Sequence, residues 1–215
     1  MIVATDWVTT SALATAGGTL VLAMATFASV RSANRAARVA ERTLLAGLRP
    51  LLVPSRFDDP MQKIFFADQR YVTVDGGRAS FEIDDDAILM VISLRNAGAG
   101  VAVLHGWRLY PERLLGADHG PTALDSFTRL TRDIYVPARD VGFWQGAFRD
   151  PSDPAFAEAK AAIEERRPLT LDVLYGDHEG GQRTIARFGL LSHAEGVWLP
   201  TVGRYWNVDR GDPRE

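Results

Sequence analysis

The stretch of this chain best suited to chemistry is an apolar run that ends in glycines, "ISLRNAGAGVAVLHGW", Ile92 to Trp107. A dinucleotide-binding loop would need a helix directly after Gly98-Ala99-Gly100, with the phosphate at its N-terminus. The residues beyond the glycines alternate instead: Val101, Val103, His105, Trp107 and Leu109 interleave with Ala102, Leu104, Gly106, Arg108 and Tyr110, a strand period. The loop is therefore expected to turn one strand into the next. Asn96, Gly98 and Gly100 would serve it as residues that tolerate positive φ.

The other polar groupings fall short of a constellation. Asp84-Asp85-Asp86 lacks the alternating ligands, central glycine and distal glutamate of a calcium loop, and reads as a solvated turn. Asp177-His178-Glu179 resembles a metal set but is expected at a hairpin tip. His105, His119, His178 and His193 share no zinc-ligand spacing. Ser192 and His193, with Glu195 nearby, have no nucleophile elbow, and neighbours on a strand point to opposite faces. Phe143, Trp144, Trp198, Tyr205 and Trp206 are expected in a core. No catalytic residue, metal ligand or cofactor site is expected.

Composition narrows the setting. Cysteine is absent, which excludes disulfides and thiolate metal sites. Basic charge is 22 arginines against Lys63 and Lys160 alone. It is also unevenly placed: the net charge is −1 over residues 1–30, +4 over 31–49 and −6 over 50–215. An acidic body on a basic neck gives no reason to expect a nucleic-acid partner.

The element ahead of that body decides most. "WVTTSALATAGGTLVLAMATFASV", Trp7 to Val30, holds 24 residues without an ionisable side chain. At about 1.5 Å per residue it spans roughly 36 Å, enough for a hydrocarbon core of about 30 Å. Residues 7–30 are expected to be a retained transmembrane helix, since no basic region precedes them as in a signal peptide. Arg31, Arg35, Arg38, Arg42 and Arg49 come next, and a basic flank stays cytoplasmic. The amino terminus should lie outside the inner membrane, with the rest in the cytoplasm.

Residues 31–49 are expected to continue as a basic juxtamembrane helix. On a helical wheel the five arginines fall within about 60° of one another, positioned for lipid headgroups or an acidic partner. Ala33, Ala36, Ala40 and Leu44 lie opposite. With Ala14 and Gly18 inside the membrane, these small residues would let a second helix approach closely. Residues 7–49 are thus expected to pack against membrane lipid and another membrane protein or a second copy.

Residues 50–210 read as short strands cut by turns, with 211–215 a frayed tail. Tyr71–Val74 and Ala79–Ile83 are expected to form a hairpin about Asp75-Gly76-Gly77. "LTLDVLYGD" and "RTIARFGLL" should form another. Asp153 as cap, Pro154 at the first position and Pro168 as stop mark one inserted helix that buries Phe156, Ala159 and Ile163.

An N-terminal helix, "RPLLV", a strand ending "LRNAGAGVA", then "VPARD" and "LDVLYGDHEG" together resemble bacterial single-pass membrane proteins that carry an Ig-like domain. The resemblance implies a mainly β fold, an Ig-like antiparallel β-sandwich behind a transmembrane helix, and transfers no catalytic residue. The expected function is a membrane-anchored accessory, scaffolding or interaction module. The alternative is a membrane-bound ligand or lipid sensor, or a hydrolase.

Overall fold

A computed structural model describes residues 3–114, 120–194 and 196–211. The chain forms two compact units, one up to Gly47 and one from Leu48 onward. The first is a single helix, α1 (Val3–Gly47), of 45 residues. It is long and apolar enough to cross a membrane, with a mean hydropathy of 1.7 over its most apolar window. Three of its hydroxyls are satisfied within the helix: Thr15, Thr19 and Thr26 donate to the carbonyls of Ser11, Thr15 and Leu22, each at 2.8 Å. Such back-bonding satisfies a polar side chain inside an apolar stretch.

The helix ends two residues before the expected 49. Pro50 disfavours helical backbone at Arg49, and the second unit takes over at Leu48. Arg49 is therefore not part of the helical arginine stripe.

The second unit is mainly β. Its strands are β1 (Leu52–Pro54), β2 (Gln62–Phe65), β3 (Tyr71–Val74), β4 (Ala79–Ile83), β5 (Ile88–Asn96), β6 (Ala102–Tyr110), β7 (Thr128–Val136), β8 (Val141–Phe148), β9 (Leu169–Gly176), β10 (Thr184–Ala194) and β11 (Val197–Asn207). All described pairings are antiparallel. In one layer β8 pairs with β5, which shares its other edge between β4 and β1. In the other, the order is β11-β10-β9-β6-β7. The layers join through one register pair, Trp198 with Ala79, and close on a common core as a β-sandwich.

Tryptophans define that core. The rings of Trp107 on β6 and Trp144 on β8 meet edge-on at 5.6 Å, and Phe148 adds a second contact to Trp107 at 5.1 Å. A side chain on Gly146 would strike the Trp144 ring at 2.6 Å, so glycine makes room for the pair. Helix α2 (Pro154–Glu164) is capped by Asp153 as expected and buries Phe156, Ala159, Ala162 and Ile163. Trp144 and Trp198 lie in the main core, Phe143 and Tyr205 pack on it, and Trp206 joins a smaller cluster with Leu174 and Ile185.

Strand β5 reads as unbroken apolar sequence because both its faces are covered. Ile88, Met90, Ile92 and Leu94 enter the main core. Ala87, Leu89 and Val91 instead lie under Ile64, Val72 and Val74 from the separate two-stranded sheet β2-β3, with Phe66 just beyond β2. The hairpin expected between Tyr71–Val74 and Ala79–Ile83 does not form: the first pairs with β2 and the second with β5. The intervening turn is tied elsewhere. The Gly77 N–H donates to Ser55 Oγ at 2.8 Å, and Gly76 lies so close to Arg56 that a Cβ would sit 2.3 Å from its carbonyl oxygen.

Candidate functional site

The glycine loop between β5 and β6 grips the chain's own backbone. A Cβ on Gly98 would lie 2.3 Å from the Arg49 carbonyl oxygen, and one on Gly100 would lie 1.7 Å from that of Leu48. Neither glycine has positive φ. Their requirement is close approach, not the left-handed conformation expected from the sequence.

Asn96, fully buried, organises the clasp. Its Oδ1 accepts from the N–H groups of Leu51 at 3.1 Å and Gly98 at 3.0 Å. Its Nδ2 donates to the carbonyls of Gly100 at 2.7 Å and Val136 at 3.1 Å. All four bonds available to the amide are made.

Three further side chains fasten the same segment. Arg49 donates to the Asn207 side chain. Tyr205 donates to the Leu52 carbonyl, and Tyr175 accepts from the Leu52 N–H. Burial pushes the Tyr175 phenol up to about 12. The collar is built of backbone, amide and phenol, and no phosphate could enter a space already filled by Leu48–Leu51.

A second polar assembly lies on the outer face of the β9–β10 pair. Asp172, fully buried, accepts two bonds from Arg187, from Nε at 2.8 Å and from Nη2 at 2.7 Å. Thr122 donates to the same carboxylate at 2.6 Å, so its own oxygen accepts from Tyr110 at 2.7 Å. Arg187 also stacks 4.7 Å over the Trp206 ring. Asp172 is thereby committed to an internal bidentate pair.

His105 is the residue that sequence periodicity misplaced. In the ladder of β6 with β9, Leu104 pairs with Tyr175 and Gly106 with Leu174, so His105 is the extra residue of a β-bulge; on the other side residues 130–133 of β7 leave the ladder. The bulge reverses the alternation: Ala102 and Leu104 face the core before it, Trp107 and Leu109 after it. His105 is re-aimed into an open groove of about 380 Å³ that also presents Asp133, Arg183, Leu124, Phe127 and Leu130. Partial burial and the Arg183 charge hold its imidazole below the ordinary value, against the pull of Asp133 and Asp177. The lining offers a neutral imidazole, a carboxylate and a guanidinium, but no hydroxyl or thiol nucleophile.

Asp177 departs from the exposed hairpin tip expected of it. It is 3% exposed; its Oδ2 accepts from Gln182 at 3.0 Å, and its Oδ1 has no partner among the described residues. His178 and Glu179 do lie at the exposed tip, 3.2 Å apart. Nothing in the local sequence distinguishes Asp177 from them; only the fold buries it.

A second groove, of about 160 Å³, separates β7 from β8. Its lining includes Phe66, Trp107, Arg129, Arg132, Gly146 and Arg149. Arg132 crosses it to reach Gln145 Oε1 at 2.9 Å and the Phe65 carbonyl at 3.1 Å.

The remaining sequence candidates stay apart. Arg31, Arg35, Arg38 and Arg42 are exposed on α1, as are Ala14, Gly18, Ala33, Ala36, Ala40 and Leu44. Asp84 and Asp86 both pair with Arg70 at 3.1 Å, as the turn reading expects. Ser192 and His193 lie on β10, whereas His119 and Glu195 fall outside the described residues. Among the described residues no group of three histidines or carboxylates is placed to hold a metal. Comparison with family models, curated proteins and solved structures finds no match to the chain.

Proposed function

We propose that this chain is a single-pass, membrane-anchored interaction module without catalytic activity. Its helix crosses the inner membrane and its sandwich faces the cytoplasm. The observation that supports this is the apolar surface of α1: Trp7, Leu13, Leu20, Leu22, Met24 and Phe27 are each more than half exposed. So large an uncovered apolar surface is costly in water and suited to lipid.

Arg31, Arg35, Arg38 and Arg42 meet headgroups at the cytoplasmic side. Ala14, Gly18, Ala33, Ala36, Ala40 and Leu44 admit a second helix, from another copy or another membrane protein. The polar groups of the sandwich favour this reading over a hydrolase. Asp172 and Arg187 serve each other, and Asn96 serves the collar. The sensor reading rests on the His105 groove alone.

A reporter fused after Glu215 tests the topology. Cytoplasmic activity is expected, and replacing the four helical arginines by glutamate should erode it. Efficient activity of a periplasm-dependent reporter in the parent protein would refute the orientation. Photocrosslinkers at Ala36 and Ala40 should capture protein. Capture of lipid alone, with a monomeric mass in mild detergent, would refute the helix-packing role.

A further inference from the structure

Strands β7 and β8 are consecutive, joined through the turn 137–140, yet they do not pair. β7 pairs with β6 and β8 with β5, so two strand edges face each other across the groove with their outer backbone groups unladdered. The two edges differ. β7 is blunted by its irregular register and by Arg129, Arg132 and Asp133, devices that discourage strand addition. β8 pairs with β5 without a register break over all eight of its residues, "VGFWQGAF", and carries no charge.

The approach to β8 is small and positively charged. Ala67 and Ala147 line it, leaving room for an incoming backbone. Arg129 and Arg132 line it too, with no aspartate or glutamate among the lining residues, whereas Arg149 at its rim is already paired with Asp68. This is a basic spot on a body whose net charge is −6 over residues 50–215. Among the described residues Arg132 donates to two neutral acceptors, Gln145 and the Phe65 carbonyl.

We propose that the edge of β8 from Phe143 to Phe148, beyond the end that Val136, Gln62 and Asp140 cover, accepts an extended, acidic segment of a partner protein. The segment adds as a strand beside β8, and its backbone completes the ladder that β7 leaves open. Its carboxylates take Arg129 and draw Arg132 from its neutral acceptors, because charge-assisted bonds are about twice as strong as neutral ones. This inference rests on the interaction-module reading and names the surface and the partner chemistry.

The test uses the full chain in mild detergent and a labelled peptide as long as β8 that alternates glutamate with valine. Saturable binding by fluorescence anisotropy is expected, together with crosslinking from a photoreactive residue at Thr131. Arg129→Glu with Arg132→Glu should weaken binding at least about tenfold, whereas Arg132→Gln alone, which keeps a donor for Gln145, should weaken it less while melting near the parent. A lysine-for-glutamate peptide should not bind. A version with a central proline, which cannot complete a ladder, should lose at least about tenfold.

Absence of saturable binding up to roughly 1 mM would overturn the proposal. Equal binding by the proline peptide would also overturn it, since charge alone would then suffice. Neither result alters the topology reporter, so the two readings fail separately.

Discussion

Two loops of the sandwich are similar as sequence and opposite in structure. Asn96-Ala97-Gly98-Ala99-Gly100 and Asp177-His178-Glu179-Gly180-Gly181 each succeed an apolar strand, and each combines polar residues with a pair of glycines. In the first, neither glycine has positive φ, and both lie against the backbone of Leu48–Leu51. In the second, Gly180 and Gly181 have φ of +74° and +145°, and a Cβ on either would meet open space. One pair of glycines answers to a neighbouring chain segment, the other only to its own turn. Composition alone cannot separate these roles, because one depends on residues nearly fifty positions away.

The contrast predicts an ordered series of stability losses, each measured by thermal melting of the full chain in detergent. Gly100→Val is the most severe. Its side chain would collide with the Leu48 carbonyl, backbone that cannot rotate aside, and a loss of about 3 kcal/mol is expected, the top of the usual range for overpacking. A variant that melts within a degree of the parent would show that Leu48–Leu51 can leave its seat freely.

Asn96→Ala comes next. It leaves the amides of Leu51 and Gly98 and the carbonyls of Gly100 and Val136 without their side-chain partner. Some of these groups regain water, so the net loss should be on the order of 2–3 kcal/mol. Asn96→Asp keeps the acceptor but sets a second carboxylate oxygen against the carbonyls of Gly100 and Val136 in a buried site, and should melt below alanine. If Asp melts above Ala, the two bonds accepted by Oδ1 outweigh the buried charge at this position.

Gly180→Ala should cost only about 1 kcal/mol, the penalty for an L-residue at a left-handed position with nothing to strike. A loss comparable to that of Gly100→Val would erase the distinction between the two loops.

The smallest effect involves His105, whose groove lies beside the hairpin loop. Its pKa is depressed in the fold, so the unfolded chain binds more protons as the pH falls. The stability attached to this group is full above its ordinary value of 6.5 and is lost as pH drops through that value toward the depressed one. Between pH 7.5 and 5 the parent should therefore lose more melting temperature than His105→Gln. Parallel decline of the two proteins would show that His105 does not contribute.

Much of the architecture is legible in the sequence. An uncharged run succeeded by ordered arginines marks a helix of membrane-crossing length. Asp153, Pro154 and Pro168 bracket α2, and two apolar runs around glycines specify the β9–β10 hairpin. Structure departs from local pattern where a contact distant in sequence intervenes. The anticipated hairpin at Asp75-Gly76-Gly77 was lost because β2, a short strand of mixed polarity, pairs with β3 in its place. Alternation through β6 failed at His105 because a bulge inserts one residue and reverses every side chain beyond it. Arg49, in phase with the helical arginines, is drawn instead to Asn207.

The sequence by itself determined the properties that are local or additive along the chain: an apolar helix, a basic neck, an acidic body and strands in alternating pattern. These depend on side chains within a few residues of one another, where periodicity and charge act directly. Only the tertiary structure decided which glycines are sterically required, that Asp177 is buried while His178 is not, and that the edges of β7 and β8 face each other unpaired. Those outcomes arise from close approach between segments far apart in sequence, and steric exclusion between such segments leaves no trace in local composition.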